Sequence, residues 1–423
     1  MILQLLRTDH VLRRVLVAVL IIHVLSAIFV ATVRPGSISP VQDPLEYRTI
    51  AEHVLSHKVF SIAPPADENP DLLRGPGYPL FLASTFVFDR SGTLAIILQQ
   101  VMVVCCGAFA FLLMRRFGLS HLTSIGLSAA VLFEPHLWLY SLQTMSETFY
   151  AFVLCTTLYM IFYPPARYAA AWVGVLLGVS VLIKPSGLIL APFILSYYLL
   201  RTEWRTQVRT FLFATLCLMV VLMPWVIRNY ALTGSFVLSS SPAYNIVLGL
   251  GTPQEHEALE SEGAIFTDSL NREGRIIHAF TVNGYADVVA LQQEVIERRG
   301  TLGIFREQIL CAPRVWTGHS YGAIAGILFG SGVAQYESTI YTFGVILHAF
   351  VAALFVGGAY ILMRDPHTRL MALPLIGMVL AVTLFNACVS YTRMLIPLFP
   401  IIALVVGVYI ETVGARFMRS VSR

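Results

Sequence analysis

Apolar runs of about twenty residues, repeated along almost the whole chain, constrain this sequence more than any other feature. A helix of that length crosses a ~30 Å hydrocarbon layer while closing its own backbone hydrogen bonds, which lipid cannot satisfy. We place roughly ten such runs, at 15–33, 92–114, 119–139, 147–163, 168–183, 186–200, 208–227, 339–362, 370–390 and 394–413. Composition agrees, since 57% of the 423 residues are hydrophobic and mean hydropathy is +0.74. Only 12% are charged, about half the share of a soluble protein. The fold class is therefore an all-α polytopic membrane protein with about 10 transmembrane helices.

The net charge of +4 matters less than where the charges fall. Arg13, Arg14, Arg115, Arg116, Arg167, Arg201, Arg205, Arg209, Arg364, Arg369, Arg416 and Arg419 all lie in short segments on one side of the runs. The positive-inside rule makes that side cytoplasmic. Both termini are then inside, and two long segments, 34–91 and 228–338, are outside. A cleaved signal peptide ending at "SAIFVA" is the alternative for the first run, which is long for a signal core. All six cysteines except Cys311 fall inside runs (Cys105, Cys106, Cys155, Cys217 and Cys388), so neither a disulfide framework nor a zinc spacing emerges. The basic residues form no stripe, which argues against a nucleic-acid partner.

The first outside segment begins "SPVQDPLEYRTIAEHVLSHKVF". Tyr47, Ile50, Ala51, Val54 and Leu55 have helical spacing, which predicts an amphipathic helix lying along the outer membrane surface. Asp43 stands at its N-cap, Pro44 at N1 and Glu46 at N3. Capping alone accounts for Asp43. The other reading uses its position: a carboxylate on the same helix face as Tyr47, held over the interface, is placed to take a proton from a hydroxyl. Glu46 is turned away from that face and ranks as a helper. Downstream, "RGPGYPLFLA" sets Arg74, two glycines and two prolines before an apolar stretch, with Tyr78 inside it. Such a stretch forbids a continuous helix and suits a short helix dipping back into the membrane.

Lys184 in "VLIKPSGLIL", Arg228 in "PWVIRNY" and Arg393 in "YTRML" put three cations from separate helices at the outer boundary, with Arg74 a fourth. Each alone fits a snorkelling side chain. Together they run against the topological charge bias, and a lipid-linked phosphate at headgroup depth is the natural counter-charge. Glu134, His136 and Glu147 bracket the short loop between the third and fourth runs, where Glu147 also suits a helix start. The late outside segment holds two helical patterns, "YADVVALQQEVIERRG" and "TLGIFREQILCAPRVW", suited to a lid. Trp316, His319 and Tyr321 follow as residues able to stack on a sugar or simply to pack.

Taken in order, "DPLEY", "RGPGYPLFLA", "EPHLWLYSLQTMSE", "LIKPSG", "PWVIRNYALTGSF" and "YTRMLIPLFP" resemble the GT-C glycosyltransferases, in particular the bacterial protein-mannosyltransferase and aminoarabinose-transferase-like branch. The resemblance covers nearly the whole chain, 1–423, as a single membrane domain. It implies a polyprenyl-phosphate sugar donor, a hydroxyl acceptor on a lipid, glycan or protein, and chemistry on the outer face of a bacterial inner membrane. It also places the catalytic aspartate of the first outside loop at Asp43. Lys184, Arg228, Arg393 and Arg74 then bind the donor phosphate, with Glu46, Tyr47, Tyr78, His136, Glu147 and His319 in support. No cofactor is required, and a divalent metal is optional. The chain departs from the pattern in three ways: Pro44 stands where many relatives have a second acid, Lys184 where they often have arginine, and no soluble domain follows the last run. An O-antigen polymerase or ligase would centre its chemistry in the late loop instead. A transporter or flippase would show repeated broken helices and mid-span charges.

Overall fold

The computed structural model describes residues 9–38, 43–62, 69–164, 168–200, 204–255, 282, 284–318, 335–388 and 392–421. Among these it is helical, with no β-strand. In chain order the α-helices are α1 (His10–Val33), α2 (Asp43–His57), α3 (Gly77–Phe86), α4 (Thr93–Arg116), α5 (His121–Leu132), α6 (Pro135–Ser141), α7 (Ser146–Phe162) and α8 (Ala169–Ile183). They continue as α9 (Gly187–Leu199), α10 (Trp204–Thr233), α11 (Ser241–Leu250), α12 (Tyr285–Thr317), α13 (Glu337–Arg364) and α14 (Pro366–Phe385). A 3₁₀ segment, Thr392–Leu398, leads into α15 (Phe399–Val421).

Among the described residues, six helices are long and apolar enough to span a membrane: α1, α4, α10, α13, α14 and α15 with the turn before it. The most apolar windows of α1, α10 and α13 are only 28%, 22% and 22% buried. Their remaining apolar surface requires lipid around it. By contrast, α7, α8 and α9 have 17, 15 and 13 residues. At 1.5 Å per residue they rise about 26, 22 and 20 Å, short of a ~30 Å core.

The run expected as one span at 119–139 is two helices, α5 and α6, bent by 49°. Pro135 at the first position of α6 carries no N–H and pushes Glu134 out of helical geometry. Glu134 caps α6 instead, accepting from Leu137 N at 2.8 Å. A ring nitrogen of the buried His23 lies 3.1 Å from Leu132 O at the bend, and its other nitrogen lies 2.9 Å from Gln100 Oε1.

Outside the spans, a second apolar core joins the two long segments. Ile50, Ile62 and Leu73 pack with Ala243, Tyr244, Val247 and Leu250 and with Val288 and Val295 of α12. The amphipathic helix expected on the membrane surface is α2, but its apolar face is buried in protein, with Tyr47 3% and Ile50 and Ala51 0% exposed. The two helical patterns of the late segment form α12, kinked at Gly300 (φ 65°). Trp316, at its end, packs on Phe355 of α13 with ring centroids 5.3 Å apart. His319 and Tyr321 lie outside the described residues.

The two glycines of "RGPGYP" press the chain against the end of α8. A Cβ on Gly75 would run into the carbonyl oxygen of Leu182, and one on Gly77 would meet Ile183 N and Cγ1 at 2.8 Å. Only glycine allows that approach, and it fixes Arg74 relative to Lys184 two residues beyond Leu182. We expect Gly75→Ala to destabilise the protein by about 1–3 kcal/mol through this backbone clash. A lowered thermal midpoint in detergent checks it; an unchanged one refutes the contact.

Candidate functional site

Five separate parts of the chain deliver charged side chains to one buried cluster. Asp43 and Glu46 come from the first turn of α2, Arg74 from the turn before α3, and Glu147 from the first turn of α7. Lys184 comes from the α8–α9 turn and Arg393 from the 3₁₀ segment. One Asp43 oxygen accepts from Arg74 Nη2 at 2.5 Å, and the other accepts from Arg393 Nη2. Glu147 Oε1 accepts from Lys184 Nζ at 2.7 Å and from Arg393 Nε at 2.5 Å. Arg393 therefore bridges the carboxylates of α2 and α7. Arg74 also holds Glu46 Oε2, through Nε at 2.8 Å and Nη2 at 2.5 Å.

Glu46 is nearer the centre than its expected helper role implies: residues i and i+3 are neighbours on a helix, so the guanidinium that holds Asp43 also reaches Glu46. Aromatic rings frame the cluster. The Arg74 guanidinium lies 5.2 Å from the Tyr47 ring and that of Arg393 5.8 Å from the Tyr140 ring of α6. Tyr47 OH pairs with Ser146 Oγ at 3.1 Å and its ring meets Tyr78 edge to face at 5.0 Å. The Tyr78 hydroxyl is committed to Gln99 Oε1 at 2.7 Å, and Gln99 in turn donates to the carbonyls of Ser141 and Gln143.

Burial and charge act in opposition on the carboxyls. Burial pushes Asp43 towards the neutral acid, but the adjacent Arg74 and Arg393 outweigh it and hold its carboxyl below the ordinary range. At Glu46 burial wins against Arg74, with the Asp43 charge adding to it, and the carboxyl is raised. Its Oε1 is buried without a hydrogen-bond partner among the described residues. Burial likewise pushes Tyr47 up to about 12.

Arg228 is placed differently from Lys184 and Arg393. Its Nη1 donates to Asp71 O at 3.0 Å and Asn229 Oδ1 at 2.8 Å, and its guanidinium lies 4.4 Å from the Trp225 ring. Asp71 joins this neighbourhood to the main cluster, because its Oδ1 accepts from Arg74 N at 2.7 Å. The sequence carried no signal for Asp71. His136 lies apart, its Nδ1 2.8 Å from Glu134 Oε1.

A small cleft opens beside the cluster. Lys184, Arg393, Ser186 and Asn386 line its polar end, and Leu190, Val382, Pro397 and Leu398 its apolar wall. The wall comes from α9, α14 and the 3₁₀ segment. This geometry suits an anion with an apolar tail.

No family model matches the sequence, and no curated protein matches it. Among solved structures the likeness is to ArnT. The structure of ArnT from Cupriavidus metallidurans bound to undecaprenyl phosphate is 15% identical, with a TM-score of 0.42 over 93% of this chain and 77% of that one. The apo state of the same protein is 16% identical, with a TM-score of 0.39 over 92% and 77%.

Two expectations follow from the cluster. Glu147→Gln leaves Lys184 and Arg393 buried without their shared counter-ion, a loss of up to about 3–5 kcal/mol. Adding Lys184→Met to that variant should recover part of the loss, and strictly additive losses in thermal stability would show that the pair is not coupled. Asp71 provides a pH signature. Burial raises its carboxyl from 3.8 to about 7. A raised acid stabilises the fold fully below the unfolded value and loses that contribution as pH rises through the folded one. Asp71→Asn should therefore gain thermal stability relative to the parent between about pH 4 and pH 7; a constant difference across that range counts against it.

Proposed function

We propose that this chain is a membrane glycosyltransferase of the GT-C type, moving a sugar from a polyprenyl-phosphate donor to a hydroxyl acceptor at the outer face of the membrane. The observation that carries this reading is Arg393, which bridges Asp43 and Glu147 at the mouth of the apolar-walled cleft. A phosphate fits at Lys184 and Arg393, the two cluster cations that line the cleft, and its prenyl chain lies along Leu190, Val382 and Leu398. Arg74, behind them, keeps Asp43 and Glu46 in place. Arg228 supports this arrangement through Asp71, and the late segment around α11 and α12 acts as the lid and acceptor side.

The reaction follows from the cluster. The acceptor hydroxyl oxygen attacks the anomeric carbon, the bond from that carbon to the phosphate oxygen breaks, and the bonding pair leaves with the polyprenyl phosphate. Asp43 takes the hydroxyl proton, and Lys184 and Arg393 stabilise the departing phosphate. A single displacement of this kind inverts the anomeric centre, as the family resemblance implies. In the resting site Asp43 is a weak base because two arginines hold it. The donor's phosphodiester anion competes for Arg393, and each contact that moves from Asp43 to the phosphate makes Asp43 more basic when the donor is present.

Asp43→Asn removes the proton acceptor with little change of shape, and asparagine suits a helix start about as well as aspartate. We expect it to fold and to bind donor lipid while transfer falls by ~10²–10⁴. Arg393→Ala should weaken donor binding roughly ten- to a hundredfold. Both are measured with labelled polyprenyl-phosphate sugars on purified protein. Full turnover in Asp43→Asn would reject the base assignment.

A further inference from the structure

One cluster of metal-binding side chains takes no part in this chemistry. Glu134 and His136 stand at the break between α5 and α6, and His348 lies on the buried stripe of α13. One ligand atom from each of the three lies within 4.8 Å of the others. His136 is 1% and His348 8% exposed. Their rings meet edge to face, with centroids 5.6 Å apart. Glu134 is held from two directions: Oε2 accepts from Leu137 N at 2.8 Å, and Oε1 lies 2.8 Å from His136 Nδ1.

We propose that Glu134, His136 and His348 form a binding site for one divalent transition-metal ion, zinc being the best match. The donor set selects the metal class. Two imidazoles and one carboxylate suit zinc and its neighbours in the first transition row, whereas magnesium and calcium take oxygen ligands. The setting supplies the driving force. A carboxylate and two imidazoles in an apolar bundle lose hydration, and a bound dication compensates the carboxylate charge directly. The backbone donor from Leu137 fixes the carboxylate as an outer partner fixes a metal ligand.

The position gives the site a structural role. α13 enters the bundle after the second outside segment, about two hundred residues beyond α6 in the chain. The ion ties these two parts together. α6 also carries Tyr140, whose ring lies beneath the Arg393 guanidinium, so metal binding also steadies the side of the cleft that Arg393 occupies. The ion pairs of the catalytic cluster run among Asp43, Glu46, Arg74, Glu147, Lys184 and Arg393, a set that does not include these three ligands. The proposal therefore does not depend on glycosyl transfer.

The test uses tag-free full-length protein in detergent, stripped with chelator and then dialysed against micromolar zinc or cobalt. We expect about one zinc per chain by elemental analysis. The cobalt form should show the visible bands of a nitrogen- and oxygen-ligated site. His136→Ala and His348→Ala should each lose the ion, and Glu134→Gln should weaken binding roughly ten- to a hundredfold. Absence of bound metal in the folded parent, or zinc retained undiminished in folded His348→Ala, overturns the proposal. Should a histidine variant fail to fold, X-ray absorption of the zinc-loaded parent decides: two imidazoles in the first shell support the site, and none refutes it.

Discussion

Buried charge must be matched, and that requirement organises this molecule. Three cations, Arg74, Lys184 and Arg393, meet three carboxylates, Asp43, Glu46 and Glu147, inside a helical bundle. An isolated ion there loses several kcal/mol of hydration energy, so removing any one of these residues costs stability by leaving a partner underpaired. The same pairing is an assembly constraint. It obliges α2, the Arg74 turn, the start of α7, the α8–α9 turn and the 3₁₀ segment to converge on one point, although they span 350 residues between Asp43 and Arg393.

Convergence also needs helices that end in the right places. α8 and α9 are too short to cross a membrane core alone, so the turn between them carries Lys184 to a level that longer helices would pass. Gly75 and Gly77 let the Arg74 turn lie directly on that end of α8. Pro135 divides the preceding hairpin and leaves α6 as a separate piece, free to set Tyr140 against Arg393. Gly75, Gly77 and Pro135 thus place backbone breaks against protein, where partners can satisfy backbone groups that lipid could not.

How much of this the sequence carried depends on the range of the interaction. The described residues of the expected apolar runs are mostly helical, because hydropathy over about twenty residues is a local signal. The bend at Pro135 was missed as a span boundary, since a proline in an apolar run is compatible with either a kink or a break. Lys184, Arg393 and Arg74 stood out as cations against the topological bias. The sequence could not pair them: Glu147 reads locally as a helix start, and its two partners lie 37 and 246 positions away. Asp71, which joins Arg74 to Arg228, is one acid among several in a polar turn. The glycine–proline motif is explained only by α8, a helix about a hundred residues downstream, whose Leu182 carbonyl leaves no room for a side chain at Gly75.

The charge balance bears directly on how such a site works. Three formal positive and three formal negative charges leave no surplus for an incoming phosphate. Burial eases this in part by raising the Glu46 carboxyl and so disfavouring its charge. The remainder has to come from exchange. Arg393 is 27% exposed at its side chain, whereas Arg74 is 14% and Lys184 11%, so it is the partner a ligand in the cleft reaches most readily. Moving Arg393 from carboxylate to phosphate costs little, because one charged hydrogen bond replaces another. It also removes one of the two charges that suppress Asp43 as a base. Under the proposed function, the ion pairs that hold the empty site together keep its base weak, and the donor phosphate strengthens that base by competing for the shared arginine.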